Sequence, residues 1–126
     1  MPVAQKTVLI VEDDVHLRRQ LSLSLRLVGF QTLEARGALE AIGLFERNHV
    51  DALVLDLTLP GLDGLTVKEE IAAHPRTREL PIVILTESQE PPQDVRPAYV
   101  LKKPVTPWVI VATLVRCLRE CRRDAT

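Results

Sequence analysis

Between Ala52 and Leu55 every side chain is apolar, and the next residue, Asp56, is a carboxylate leading into a Pro60-Gly61 loop. A run that is apolar on both faces is what a buried strand of a parallel sheet requires, because helices cover such a sheet on both sides. Val50 to Asp56 is therefore read as a central strand. In open parallel sheets ligands bind in the crevice outside the carboxyl ends of the strands, so Asp56 stands where chemistry is usually placed. Taken alone, it fits a helix N-cap or a solvated strand end equally well.

The remaining segments supply the context. Thr7 to Val11 is a β-branched apolar run that ends abruptly in Glu12-Asp13-Asp14, a second buried strand delivering carboxylates at its carboxyl end. From Val15 to Val28, Leu17, Leu21, Leu25 and Val28 recur at helical spacing, and Gly29 is placed to cap the helix. Phe30 to Ala35 reads as a short strand, and Leu39, Ile42, Leu44 and Phe45 mark a helix that frays near Asn48. Gly64 to Ala73 carries Leu65, Val67, Ile71 and Ala72 on a short helix stopped by Pro75. Leu80 to Thr86 is another buried strand, Ala98 to Leu101 a fifth that runs into Lys102-Lys103-Pro104, and Pro107 opens a last helix reaching about Arg122.

Strands alternating with helices imply right-handed crossovers and a parallel sheet covered on both faces. The expected fold is α/β, a doubly wound five-stranded parallel sheet in the flavodoxin-like order 2-1-3-4-5. That order makes the first and third strands neighbours and brings Glu12, Asp13 and Asp56 together. Only Glu87 to Pro97 connects the fourth and fifth strands, and Pro91, Pro92 and Pro97 leave room for about one helical turn, so the fourth helix is expected to be shortened or absent. The 126 residues suit a single domain, with an ordered core expected over about residues 6–122.

Charge narrows the function. Sixteen Lys and Arg face 17 Asp and Glu, scattered along the chain for a net charge of -1, which offers no grip on nucleic acid. No apolar run approaches the roughly 18 residues of a membrane span. The expected location is cytoplasmic, with no membrane contact. Cys117 and Cys121, four apart on a helix, suit neither a structural disulfide nor a metal site lacking further ligands.

Three carboxylates in one crevice repel one another and raise a pKa unless a cation neutralises them. Mg2+, which takes few protein carboxylates and keeps room for waters and phosphate oxygens, suits a shallow site at strand ends. Thr86 ends the fourth strand with a hydroxyl, and Lys103 follows the fifth with an ammonium. A metal, a lysine and a hydroxyl donor are what a phosphorylated carboxylate needs around its anionic oxygens.

With these residues in view, the chain resembles the receiver domain of bacterial two-component response regulators across almost its whole length. The matching pieces are Val8 to Asp14, Asp56 with Pro60-Gly61 and Asp63-Gly64, Thr86 after Ile82 to Leu85, and Lys103-Pro104. The resemblance implies that Asp56 accepts a phosphoryl group from the phosphohistidine of a sensor histidine kinase or phosphotransfer protein. It implies that Asp13 ligates Mg2+ directly, that Glu12 acts largely through water, and that the backbone carbonyl of Thr58 completes the protein ligands. Thr86 and Lys103 would contact the phosphoryl oxygens. The domain would signal through protein contacts rather than turn over a substrate as an enzyme.

Two positions depart from the family pattern. Glu87 follows the threonine where a small residue is usual, and Tyr99 stands four residues before Lys103, with Val100 at the usual aromatic place. Because strand side chains alternate, Tyr99 should take the opposite face from the family's aromatic. These departures keep open a second reading, a pseudo-receiver that acts as an interaction module without phosphorylation. A third reading, an aspartate-nucleophile phosphohydrolase, is weakened by Thr58, which occupies the place of the second Asp in those enzymes.

On the last helix, Ile110, Val111, Leu114, Cys117 and Leu118 suffice for a core-facing stripe, while Trp108, Val109, Ala112 and Val115 add a second apolar face. The expectation is a homodimer or output-partner contact through the fifth strand and this helix, anchored by Trp108.

Overall fold

The structure, a computed structural model, describes residues 6–57, 69, 73, 80–87 and 98–125. Five strands, β1 (Thr7–Val11), β2 (Gln31–Ala35), β3 (Ala52–Asp56), β4 (Ile82–Thr86) and β5 (Ala98–Lys102), form one sheet in the order β2-β1-β3-β4-β5. Every neighbouring pair is parallel. The expected doubly wound sheet is therefore the observed one. Among the described residues three helices accompany it: α1 (Val15–Leu27), α2 (Ala38–Arg47) and α3 (Pro107–Ala125).

The two-residue period of the strands sorts the core into two layers. Leu9, Val11, Leu53, Leu55, Ile82 and Ile84 face one way and pack with Ala38 and Ala41 of α2. Val8, Ile10, Ala52, Val54, Val83 and Leu85 face the other way, against Leu21 and Leu25 of α1 and Ile110 and Leu114 of α3. With both faces covered, β3 and β4 are buried at every residue, which is why their sequences show no polar alternation.

Helix ends follow local chemistry. Asp14 caps α1, its Oδ1 accepting from the backbone N–H groups of His16 and Leu17 at 2.9 and 3.2 Å. At the other end Gly29 takes φ 104°, with its N–H donating to the Arg26 carbonyl and that of Phe30 to the Leu25 carbonyl. That is a Schellman closure, and the left-handed residue it requires is the glycine read as a cap. α2 ends at Asn48, whose backbone N–H and side-chain amide both donate to the Leu44 carbonyl.

Several expectations shift in detail. Val28, placed on the apolar stripe of α1, is exposed at the helix end, and Leu39 is 74% exposed while Ala38 and Ala41 fill the contact between α2 and the sheet. On α3 the core stripe of Ile110, Val111, Leu114 and Cys117 is buried as expected. Val115 packs with that core too, so the outer apolar face reduces to Trp108, Val109 and Ala112. The helix expected over Gly64 to Ala73 lies outside the described residues except at Glu69 and Ala73, both helical. The segment where the fourth helix is expected to be shortened or absent also lies outside them. No helix among the described residues is long and apolar enough to cross a membrane.

The register of β5 separates Tyr99 from Val100. Val100 packs with the α2-side core and Tyr99 with the opposite layer. There the Tyr99 hydroxyl donates to the carboxylate of Glu120, and the Arg116 guanidinium lies 4.8 Å from the ring centroid.

Candidate functional site

The carboxyl ends of β1, β3, β4 and β5 converge on one crevice. β1 and β3 are paired with Val11 opposite Leu55, so the next residues, Glu12 and Asp56, emerge side by side on the same face. Both are fully buried, and Asp13, one residue on, is exposed at the rim. One carboxylate oxygen from each of Glu12, Asp13 and Asp56 lies within 4.8 Å of the others. Asp14, though adjacent in sequence, is committed to capping α1.

Lys103 reaches this group from two strands away. β4 lies between β3 and β5, and the Lys103 backbone N–H donates to the carbonyl of Thr86, the last residue of β4, at 2.8 Å. From that anchor the long side chain crosses β4, and its ammonium donates to Asp56 Oδ2 at 2.9 Å. The same ammonium lies 3.1 Å from Glu12 Oε1, an ion pair without hydrogen-bond alignment. The Lys103–Pro104 peptide is cis. Thr86 is buried, and Glu87 directly after it is exposed.

Electrostatics mark the cluster as crowded. Burial, and then the neighbouring Asp56 carboxyl, push the pKa of Glu12 up from 4.5 to about 7, although the Asp14 backbone N–H donates to its Oε2 at 3.1 Å and pulls the other way. For Lys103 burial favours the neutral amine, but the hydrogen bond to Asp56 and the charges of Asp56 and Glu12 outweigh it and raise its pKa. Three carboxylates facing one ammonium leave two negative charges when all are ionised. Glu12 Oε1 is buried and accepts no hydrogen bond. A buried carboxylate oxygen with an ion pair but no aligned hydrogen bond, beside two further carboxylates, fits a hard divalent cation with oxygen ligands.

Of the residues singled out from sequence, Glu12, Asp13, Asp56, Thr86 and Lys103 are thus brought to one end of the sheet. Thr58 lies outside the described residues. Sequence reasoning missed Arg18 and Glu34. Arg18 is buried on α1, where Nη1 donates to the Glu12 carbonyl at 3.0 Å and Nε to Glu34 Oε1 at 3.2 Å. The available signal was spacing: Arg18 precedes Leu21, Ser22 and Leu25 by three, four and seven residues, a charge on the buried face of its helix.

Comparison with known proteins agrees with this fold. The family model for the response regulator receiver domain matches residues 8–114. The phosphate regulon transcriptional regulatory protein PhoB of Pseudomonas aeruginosa is 29% identical over 120 residues, covering 91% of this chain and 52% of that protein. The transcriptional regulatory protein AfsQ1 of Streptomyces coelicolor is 33% identical over 126 residues, covering 95% and 54%. The chain thus spans about half the length of these relatives. The chemotaxis response regulator CheY4 of Vibrio cholerae shares the fold, with a TM-score of 0.81 at 24% identity over 89% of this chain and 98% of that one.

Proposed function

The chain belongs to the receiver domain family of two-component response regulators, and from that premise we propose that Asp56 is its phosphoacceptor, in a reaction that depends on Mg2+ held by Glu12, Asp13, Asp56 and the carbonyl of Thr58. The observation that carries this reading is the Asp56 carboxylate, buried at the end of β3 yet within reach of a lysine and two further acids.

In the proposed reaction a carboxylate oxygen of Asp56 donates an electron pair to phosphorus in the phosphohistidine of a kinase or phosphotransfer protein. The O–P bond forms as the P–N bond breaks, and the electron pair leaves with the imidazole nitrogen. Bound Mg2+ would offset the charge of the acids and hold phosphoryl oxygens. Lys103, already against Asp56 Oδ2, supplies a compact positive charge for another phosphoryl oxygen. Thr86, joined to Lys103 through the backbone, supplies a hydroxyl donor at the same strand ends. No substrate is turned over, so the domain works as a signalling switch in the cytoplasm, and other proteins read it. The exposed start of α3, with Trp108 and Val109, is the surface assigned to a second copy or an output partner.

Intact-mass spectrometry after incubation with acetyl phosphate and Mg2+ tests the assignment. One phosphoryl group should add to the wild type, and none to Asp56→Asn or to the wild type in EDTA. Stoichiometric labelling of Asp56→Asn would overturn it. A second reading, a receiver fold acting without phosphorylation, is favoured by Glu87 standing directly after Thr86. A wild type that binds Mg2+ but never labels would support that reading instead.

A further inference from the structure

We infer that Arg18 is a positioning residue for the acidic cluster, fixing the peptide between Glu12 and Asp13 so that their carboxylates converge on a divalent cation; this rests on the reading of the site given above. Arg18 lies one turn into α1 and is only 8% exposed. A guanidinium cannot shed its charge, so its burial is tolerated only where its donors find well-placed acceptors. Two elements provide them: the Glu12 carbonyl, 3.0 Å from Nη1, and the Glu34 carboxylate on β2, 3.2 Å from Nε.

The consequence falls on Glu12 and Asp13. The backbone N–H of Glu12 donates to the Ala35 carbonyl at 3.0 Å, and its carbonyl accepts from Arg18. Both peptide groups of Glu12 are therefore held, one by β2 directly and one by Arg18, which β2 in turn holds through Glu34. With the Glu12–Asp13 peptide plane fixed, the direction in which Asp13 leaves the chain is fixed too. Asp13 is at the exposed rim, where backbone placement matters most for keeping its carboxylate within 4.8 Å of those of Glu12 and Asp56. A lysine at position 18 would bring a point charge without the planar fork that serves two acceptors at once. Groups that orient metal ligands in this way affect metal affinity without touching the metal.

Calorimetric Mg2+ titration of the full chain decides the point, using wild type, Arg18→Met, Glu34→Gln and the double variant, with urea denaturation in parallel. Arg18→Met should weaken Mg2+ binding about tenfold. Acetyl phosphate labelling of that variant should regain a near wild-type limiting rate at saturating Mg2+, so the defect lies in half-saturation. Glu34→Gln should weaken binding less, and the double variant should be no weaker than Arg18→Met, because Glu34 acts only through Arg18. A purely structural role would lower urea stability and leave the affinity of the folded protein unchanged. Unchanged affinity in Arg18→Met, or additive losses in the double variant, would overturn the positioning role alone. Should Arg18→Met fail to fold, Glu34→Gln at its 32% exposed side chain carries the test, and unchanged affinity there overturns the inference. A wild type that binds no Mg2+ would instead overturn the reading of the site, and this inference with it.

Discussion

Lys103, directly after β5, donates to Oδ2 of Asp56 at the end of β3 at 2.9 Å, although β4 lies between those two strands. Without a metal this ammonium is the cation that the structure sets against the buried Asp56 and Glu12 carboxylates. Lys103→Ala should therefore destabilise the metal-free protein by roughly 1–3 kcal/mol, the usual cost of stranding a buried polar partner. Saturating Mg2+ should recover much of that loss, because the proposed metal would be held by the same carboxylates. Phosphoryl labelling should remain impaired, since the charge assigned to a phosphoryl oxygen is gone. Urea melts in EDTA and in Mg2+ test this, and equal losses in the two would contradict it. So would a Mg2+ affinity that falls in step with labelling.

Glu12 gives the metal-free protein a characteristic pH dependence. Its pKa stands at about 7 in the folded chain against an ordinary 4.5, first because it is buried and then because Asp56 is beside it. Between those values the folded protein holds a proton that the unfolded chain has released. The unfolded state then binds fewer protons, so stability falls as pH rises through the window and levels off above it. The raised pKa of Lys103 has its effect elsewhere, since its stabilising contribution is complete below the ordinary lysine value and is lost only at alkaline pH. Glu12→Gln keeps the shape and removes the titration. Urea melts in EDTA at about pH 5 and about pH 8 should show wild type losing stability relative to Glu12→Gln on going up in pH. Parallel behaviour of the two proteins would contradict the prediction.

Tyr99 is tied to α3 rather than facing the layer that Val100 joins. Its hydroxyl bond to Glu120 is exposed, so Tyr99→Phe should cost no more than about 1 kcal/mol. Labelling at Asp56 should not change, because the ring is engaged by Arg116 and Glu120 of α3 and not by the residues gathered at the strand ends. A fall in labelling rate with stability preserved would show that the ring communicates with the site.

The legible part of this protein was its strand ends. Up to their last residues β3 and β4 are apolar because both faces are covered, and such runs leave little doubt where a carboxylate or hydroxyl marks the exit. Asp56 and Thr86 were readable for that reason, and Glu12 and Asp13 followed from the order of the sheet. Tyr99 could be assigned to the second face by counting residues back from Lys103. What resisted reading depends on register between distant segments. Glu34 reaches Arg18 because β2 pairs with β1 opposite Ile10, a fact that no local pattern encodes. Helix faces were blurred where small residues do the packing: Ala38 and Ala41 line the contact of α2 with the sheet, and the larger Leu39 is left outside. Val115 misled in the reverse sense, since a valine next to the core stripe can turn inward without breaking helical spacing.

Trp108 supplies the last prediction. It is 55% exposed at the start of α3 and Val109 beside it is 47% exposed, so neither side chain is used up by the core of its own domain. Substitution at such a position should change folding stability by no more than about 0.5 kcal/mol. Trp108→Glu should also label at Asp56 like wild type, because the residue is not among those gathered at the strand ends. What it should change is association, since an exposed tryptophan with an apolar neighbour is a typical anchor of a protein contact. The proposed phosphorylation of Asp56 would add about 1.5 to 2 negative charges there, against which Lys103 is already placed, and Lys103 lies four residues before Pro107 opens α3. A resulting shift of Lys103 would have only a short connection to cross to the helix that carries Trp108. Sedimentation at several concentrations, with and without acetyl phosphate and Mg2+, should show wild type associating more when phosphorylated and Trp108→Glu remaining monomeric in both states. Identical sedimentation of the two proteins under all conditions would remove this face from the account of self-association.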